Sequence, residues 1–123
     1  MSHSFAFEKL TAWQEARSFT KEIYLCTKDF PDSEKFGLVN QMRRASVSVC
    51  SNIAEGTSRT SVKDQAHFYQ LAYGSLMEVL NQSIISNDLE MLANDKLTEI
   101  RTATEKIANL INALRRSILK RKA

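Results

Sequence analysis

Apolar positions recur at steps of three and four in four separate stretches of the chain, the spacing of one face of an α-helix. From about Leu10 to Lys28, Trp13, Ala16, Thr20, Ile23, Tyr24 and Thr27 trace one such face, with Glu15, Arg17, Lys21, Glu22 and Lys28 mostly off it. A second stretch, about 33–55, turns Phe36, Leu38, Val39, Met42, Ala45, Val49 and Ile53 inward. In a third, about 62–89, Phe68, Leu71, Ala72, Ser75, Leu76, Val79, Leu80 and Ile84 form a stripe that Tyr69, Tyr73 and Ile85 widen. The fourth, about 95–120, repeats Leu97, Ile100, Thr104, Ile107, Leu110, Ile111, Leu114 and Ile118 at near-heptad spacing. No segment alternates like a strand.

The residues between these stretches punctuate them. Phe30-Pro31 ends the first helix, because the residue before proline is pushed out of the helical region. Asp32 or Ser33 caps the second. Gly56 is expected just past its C-terminus, in the left-handed conformation. Ser61-Val-Lys-Asp64 has the spacing of a capping box, with Asp in place of Glu. Asn94 or Asp95 caps the fourth, and Phe5 and Phe7 form an arm that packs back on the first. Four amphipathic helices with short connections predict an all-α fold, an antiparallel up-and-down four-helix bundle in a single domain over 1–123. Gly74-Ser75 in mid-helix costs about 1 kcal/mol relative to alanine, which close approach to a neighbouring helix usually offsets. The third helix is apolar around more of its circumference than a lone bundle needs, so an oligomer is expected.

Charge changes the picture at one end. Of 17 basic residues, Arg115, Arg116, Lys120, Arg121 and Lys122 fall in the last nine positions; the rest of the chain holds 12 basic against 14 acidic residues. No apolar run is long enough to cross a membrane. The start, Met-Ser-His-Ser-Phe-Ala-Phe-Glu, has neither the basic nor the apolar part of a secretory signal. Cys26 and Cys50 are isolated and read as buried, reduced thiols. A cytoplasmic protein with no membrane contact is expected.

The second helix carries Ser46, Ser48, Ser51 and Asn52, poor helix formers in isolation. Around them lies the run Arg43-Arg-Ala-Ser-Val-Ser-Val-Cys-Ser-Asn-Ile-Ala-Glu-Gly56, followed by Arg59. Together with Phe7-Glu-Lys-Leu10, Trp13-Gln14, Ala16, Ile23-Tyr24, Phe30-Pro31, Glu34, Gly37-Leu38, Gln41, Phe68, Ala72, Gly74-Ser75-Leu76 and Glu78, it resembles one family. These are the four-helix-bundle proteins first known from open reading frames in intervening sequences of bacterial 23S rRNA genes. Cys50 departs from the pattern, which commonly has proline there, so a less kinked second helix is expected. The resemblance implies a bacterial protein that assembles as a homopentameric ring. It is related to the accessory protein of diversity-generating retroelements, which looks like a basic pentameric barrel engaging a reverse transcriptase and nucleic acid.

Two groups of residues are site candidates. Arg43, Arg44, Ser51, Asn52, Glu55, Gly56 and Arg59 form the family motif. They read either as a ligand site or as structure, with Ser51 and Asn52 bonding between helices and Glu55 pairing with an arginine. The structural reading is favoured because no nucleophile–base pair accompanies the motif. Asp64 with His67 is half of one Glu-x-x-His-like pair, the only other histidine is His3, and the cysteines lack ligand spacing, so no metal is expected. There is no phosphate loop and no Ser/His/Asp set, so neither a cofactor nor catalysis is expected. The second group, Arg115, Arg116, Lys120, Arg121 and Lys122, reads as a basic rim attracting RNA or DNA phosphates, or as a solvated helix end that suits the C-terminal dipole. A ring presenting its surface to an unidentified protein partner is the alternative function.

Overall fold

A computed structural model describes residues 3–121, and within them the fold is all-α: four long helices and no strand. They are α1 (Thr11–Thr27), α2 (Asn40–Ser58), α3 (Val62–Asp88) and α4 (Asn94–Arg121). A 3₁₀ turn, Ala6–Lys9, precedes α1. Each helix packs on its neighbours in chain order, and α4 closes the set against α1. The core between them is built from Ile23, Met42, Ile53, Leu76, Ile100, Ile107 and Ile111, all essentially sealed from solvent.

The pairing of α2 with α3 is set by three polar cross-links between nitrogen or oxygen atoms, and the Ser86 hydroxyl also reaches Met42 Sδ (3.6 Å). Gln82 Nε2 donates to Gln41 Oε1 (3.4 Å), the Ser48 and Ser75 hydroxyls meet at 3.0 Å, and the Thr57 hydroxyl meets the Tyr69 phenol at 2.8 Å. As residue numbers climb along α2, their partners descend along α3. On the other side of α2, the Thr20 hydroxyl reaches Ser46 O (3.1 Å) and Cys50 Sγ (3.4 Å). Glu15 on α1 pairs with Lys106 on α4 at 3.2 Å. The α3–α4 turn closes through Asn87, whose Nδ2 donates to Leu92 O (2.9 Å) and Asn94 Oδ1 (2.8 Å), with Glu90 left-handed at φ 62°.

Several expectations change. The second helix does not run unbroken from 33. Asp32–Glu34 is a 3₁₀ turn and Lys35–Val39 a π-helical turn, with Gly37 outside helical geometry (φ −106°, ψ −113°). The Glu34 carboxylate accepts from Leu38 N (3.3 Å) and caps the restart. The bend rotates Phe36 off the inward face, leaving it 85% exposed. Beyond it α2 continues through Cys50 to Ser58.

Gly56 is not a left-handed terminator. It lies inside α2, buried, and no glycine among the described residues has positive φ. A Cβ there would stand 2.8 Å from Tyr69 Cε1 and 3.1 Å from Phe68 Cβ. The glycine lets α3 approach α2. Gly74, expected to serve that purpose, is exposed and would meet nothing within 4 Å inside the subunit.

Of the N-terminal arm, Phe7 stacks edge-on against Trp13 with ring centres 5.0 Å apart, whereas Phe5 stays 62% exposed. At the start of α3 the Ser61 hydroxyl accepts from Asp64 N (3.1 Å). At the start of α4, Asp95 Oδ1 accepts only from the adjacent Lys96 N (2.9 Å), and Asn94 Oδ1 serves the turn.

Candidate functional site

The family motif is spread around α2 because helical residues three or four apart share a face and the others do not. Arg43 points to α1. Its Nε donates to Thr27 Oγ1 (3.0 Å), its Nη2 to Tyr24 O (3.2 Å), and its guanidinium lies over the Tyr24 ring at 4.6 Å. Tyr24 O belongs to the last turn of α1, where carbonyls lack helical partners, so Arg43 caps α1 from a neighbouring helix. Asn52 bonds within α2 and not between helices: its Nδ2 donates to Ser48 O (2.9 Å) and Ser48 Oγ (3.1 Å), and it is Ser48 that meets Ser75 on α3. The inter-helix hydroxyl is therefore Ser48; Ser51 is exposed.

Glu55 pairs with Arg59 at 3.0 Å on the helix surface, and Arg59 covers the Phe68 ring at 4.7 Å. Its carbonyl accepts from Gln65 Nε2 (2.9 Å), tying the α2–α3 turn. Arg44 is exposed beside Val47 and Ser51 in a shallow groove. The structure thus divides the motif between a clamp to α1, a seam with α3 and a surface ion pair.

An open groove of about 520 Å³ lies where Phe5 and Phe7 cross α2, lined by Ser51, Ala54, Glu55 and Ser58. Glu55 already holds Arg59, and the lining contains no histidine or cysteine to work beside Ser51. A second groove of about 510 Å³ runs along α1 past Cys26 to Met91 and Lys96. Burial pushes the Cys26 thiol up to about 11, with Glu22 adding to the effect; burial also raises Cys50, whose contact with Thr20 opposes it. These thiols are protonated near neutrality and suited to packing, not to attack. Among the described residues no three His, Cys, Asp or Glu side chains gather as metal ligands, and no helix is long and apolar enough to cross a membrane.

The basic cluster sits on the last turns of α4. Arg116, Lys120 and Arg121 are exposed; Lys122 lies outside the described residues. Arg115 differs from them. It is half-buried, and its Nε is sealed from solvent without a hydrogen-bond partner. Ile118, in the same turns, is part of the core.

Sequence reading missed the neighbours of this cluster. A groove lined by Lys9, Leu10, Leu110, Leu114 and Ser117 sets the end of α4 beside the start of α1. The arm groove sets the end of α2, and with it Arg59 and Lys63, at the same end. The signal was available in the pairing of helix ends combined with charge, since Lys9 and Lys63 flank predicted boundaries.

The family model described as 23S rRNA-intervening sequence protein matches residues 8–113. The chain belongs to this family. No curated protein matches it. Among solved structures, it is similar to the crystal structure of a protein of unknown function from the S23 ribosomal protein family of Bacteroides thetaiotaomicron VPI-5482. The identity is 17% and the TM-score 0.76, over 85% of this chain and 98% of that one. At that identity the likeness carries the fold and leaves the family's chemistry to be argued from the residues.

Proposed function

We propose that this member of the intervening-sequence family is a non-catalytic, bacterial, cytoplasmic protein. In this reading its antiparallel up-and-down bundle, one domain, assembles as a homopentameric ring that binds nucleic acid through a basic rim. The observation that carries the reading is the end of α4. Arg116, Lys120 and Arg121 project into solvent from an ordered helix, and none has an ion-pair partner among the described residues. Unpaired cations on a fixed scaffold attract phosphodiesters without reading sequence, with an affinity that falls steeply as salt displaces them. Side-by-side copies would bring these clusters together on one rim. Exposed Val47, Leu71 and Ile85 on α2 and α3 offer apolar surface for that contact.

Light scattering tests the assembly: about 70 kDa, five times the 14.0 kDa subunit, supports the ring, and a mass near 14.0 kDa refutes it. Fluorescence anisotropy with RNA and DNA duplexes at low and high salt tests the rim. The same exposed apolar residues favour a second reading, a ring that presents its side to a protein partner. Absence of nucleic-acid binding at low salt would select it.

A further inference from the structure

We infer that the phosphate-binding surface is the whole basic end of the bundle, with Lys9 and Lys63 as phosphate-contacting residues beside the α4 cations, and that its partner is a nucleic-acid duplex lying across that end. This rests on the nucleic-acid reading above and extends it beyond the tail. The grooves described above bring four segments to one end: the N-terminal arm, the α2–α3 turn, the first residues of α1 and the last turns of α4. They carry Lys9, Arg59, Lys63, Arg115, Arg116, Lys120 and Arg121 against Glu8, Glu55 and Asp64.

Two of those carboxylates are engaged, Glu55 with Arg59 and Glu8 with Phe5 N (2.7 Å). Lys9 and Lys63 are exposed, and neither pairs with a carboxylate among the described residues. Arg115 adds a positive centre held by packing, with its Nε desolvated and unpartnered. Such a donor gains from a nearby anion.

The opposite end is acidic. A groove from Leu25 to Asp29 along Met91 to Lys96 joins the α1–α2 and α3–α4 turns there. Those turns carry Asp29, Asp32, Glu34, Asp88, Glu90 and Asp95 against Lys28, Lys35 and Lys96. A helix of this length spans about 40 Å, several times the ~8 Å screening length at physiological salt, so the two ends act independently. A polyanion laid along the bundle would cross the acidic turns; one laid across the basic end would not.

Of the phenylalanine rings at the basic end, Phe7 packs against Trp13 and Phe68 lies under Arg59, which leaves Phe5, exposed and edge-on to His3, as the one with open surface. A single exposed ring makes no ladder on which successive bases could stack, so the surface suits the regular phosphates of a duplex more than unpaired bases.

The test is a double variant, Lys9→Glu with Lys63→Glu, against a control making the same charge change at the far end, Lys28→Glu with Lys35→Glu. Anisotropy with duplexes of about 20 base pairs, RNA and DNA, is followed between about 50 mM and 200 mM salt. The basic-end variant should bind about 10-fold or more weakly at low salt. Its log–log salt slope should shrink by about 2, near 0.9 per phosphate contact. The control should stay within about 3-fold of wild type. The milder Lys9→Gln with Lys63→Gln should give an intermediate loss, and circular dichroism verifies helix content in each variant.

Equal losses in the basic-end and control variants would reduce the effect to net charge and overturn the inference. Wild-type affinity in the basic-end variant would return the site to the tail alone. A single strand binding more tightly than either duplex would overturn the duplex assignment. No wild-type binding at low salt would remove the nucleic-acid reading together with this extension, which distinguishes that failure from the others.

Discussion

Replacing Gly56 with alanine tests the account of how α2 and α3 meet. The new Cβ would lie 2.8 Å and 3.0 Å from two ring carbons of Tyr69 and 3.1 Å from Phe68 Cβ. Carbon atoms in contact prefer about 3.5–4.0 Å, so the ring must retreat by roughly 0.7 Å. It has little room: Tyr69 is 3% exposed, and its phenol is fixed by Thr57 at 2.8 Å. Overpacking of this kind costs about 1–3 kcal/mol, and weakening the Thr57–Tyr69 bond adds up to about 1 kcal/mol. Alanine returns about 0.5–1 kcal/mol of helix propensity.

The mid-range balance is a loss of about 2 kcal/mol. With an unfolding entropy near 2.1 cal/mol/K per residue, that lowers Tm by about 8 °C. Thermal melts followed at 222 nm would be compared at equal subunit concentration, because any assembly shifts Tm by mass action. Adding Tyr69→Leu should recover part of the loss, since it removes the ring atoms that clash. A Gly56→Ala protein as stable as wild type, or more so, would refute close approach as the purpose of this glycine.

Gly74→Ala is the opposite case: with open space around its Cβ, it should raise subunit stability by about 0.5–1 kcal/mol, and a loss would place another subunit's backbone against α3. Arg43→Ala removes two hydrogen bonds and a stacked cation from the end of α1, and urea titration should show a loss of about 2 kcal/mol. Lysine at that position should recover less than half, because it lacks the planar fork. The Cys26 thiol is raised in the folded state from 9.0 to about 11, so its contribution favours folding fully below pH 9 and is lost as pH rises from 9 to 11. The urea midpoint should fall over that window and fall less in Cys26→Ala, while thiol labelling should be slow at pH 8. Glu90→Gly relieves a left-handed side-chain residue and should be neutral to stabilising by about 1 kcal/mol in the same titration.

Periodicity marks the helices of this chain because each buries one face, and a 3.6-residue repeat survives any detail of packing. It misplaced residues whose environment is set by local geometry. Phe36 has the right spacing for the core, but the break at Gly37 turns it outward. Tyr24 lies on the apolar face yet remains exposed under the Arg43 guanidinium. Phe19, left off that face, is buried.

Gly56 takes the close-approach role expected of Gly74 for a related reason. Composition shows that small residues are present, and only coordinates show which of them has a ring beside it. The basic cluster was visible as a run of charge along the chain. Its extension to Lys9 and Lys63 emerges only when that charge is combined with which helix ends coincide in an up-and-down order. Arg115, one of five in the run, separates from the others through packing that charge alone does not reveal.

The buried hydroxyls of this bundle share a habit. Ser46, Ser83, Ser86 and Thr27 are sealed from solvent, and each donates to a carbonyl three or four residues back in its own helix. For Ser46 and Ser83, loss of the hydroxyl leaves that carbonyl with its helical N–H and creates no orphan across the interface, whereas the Thr27 hydroxyl also accepts from Arg43 Nε (3.0 Å) and the Ser86 hydroxyl also reaches Met42 Sδ (3.6 Å). Demands between α2 and α3 concentrate in the few true cross-links, Gln41 with Gln82, Ser48 with Ser75 and Thr57 with Tyr69. Ser46 and Ser83 are therefore free to drift independently of the helix they face. An architecture wired in this way can diverge far in sequence while its backbone stays put, which fits a shared fold at 17% identity.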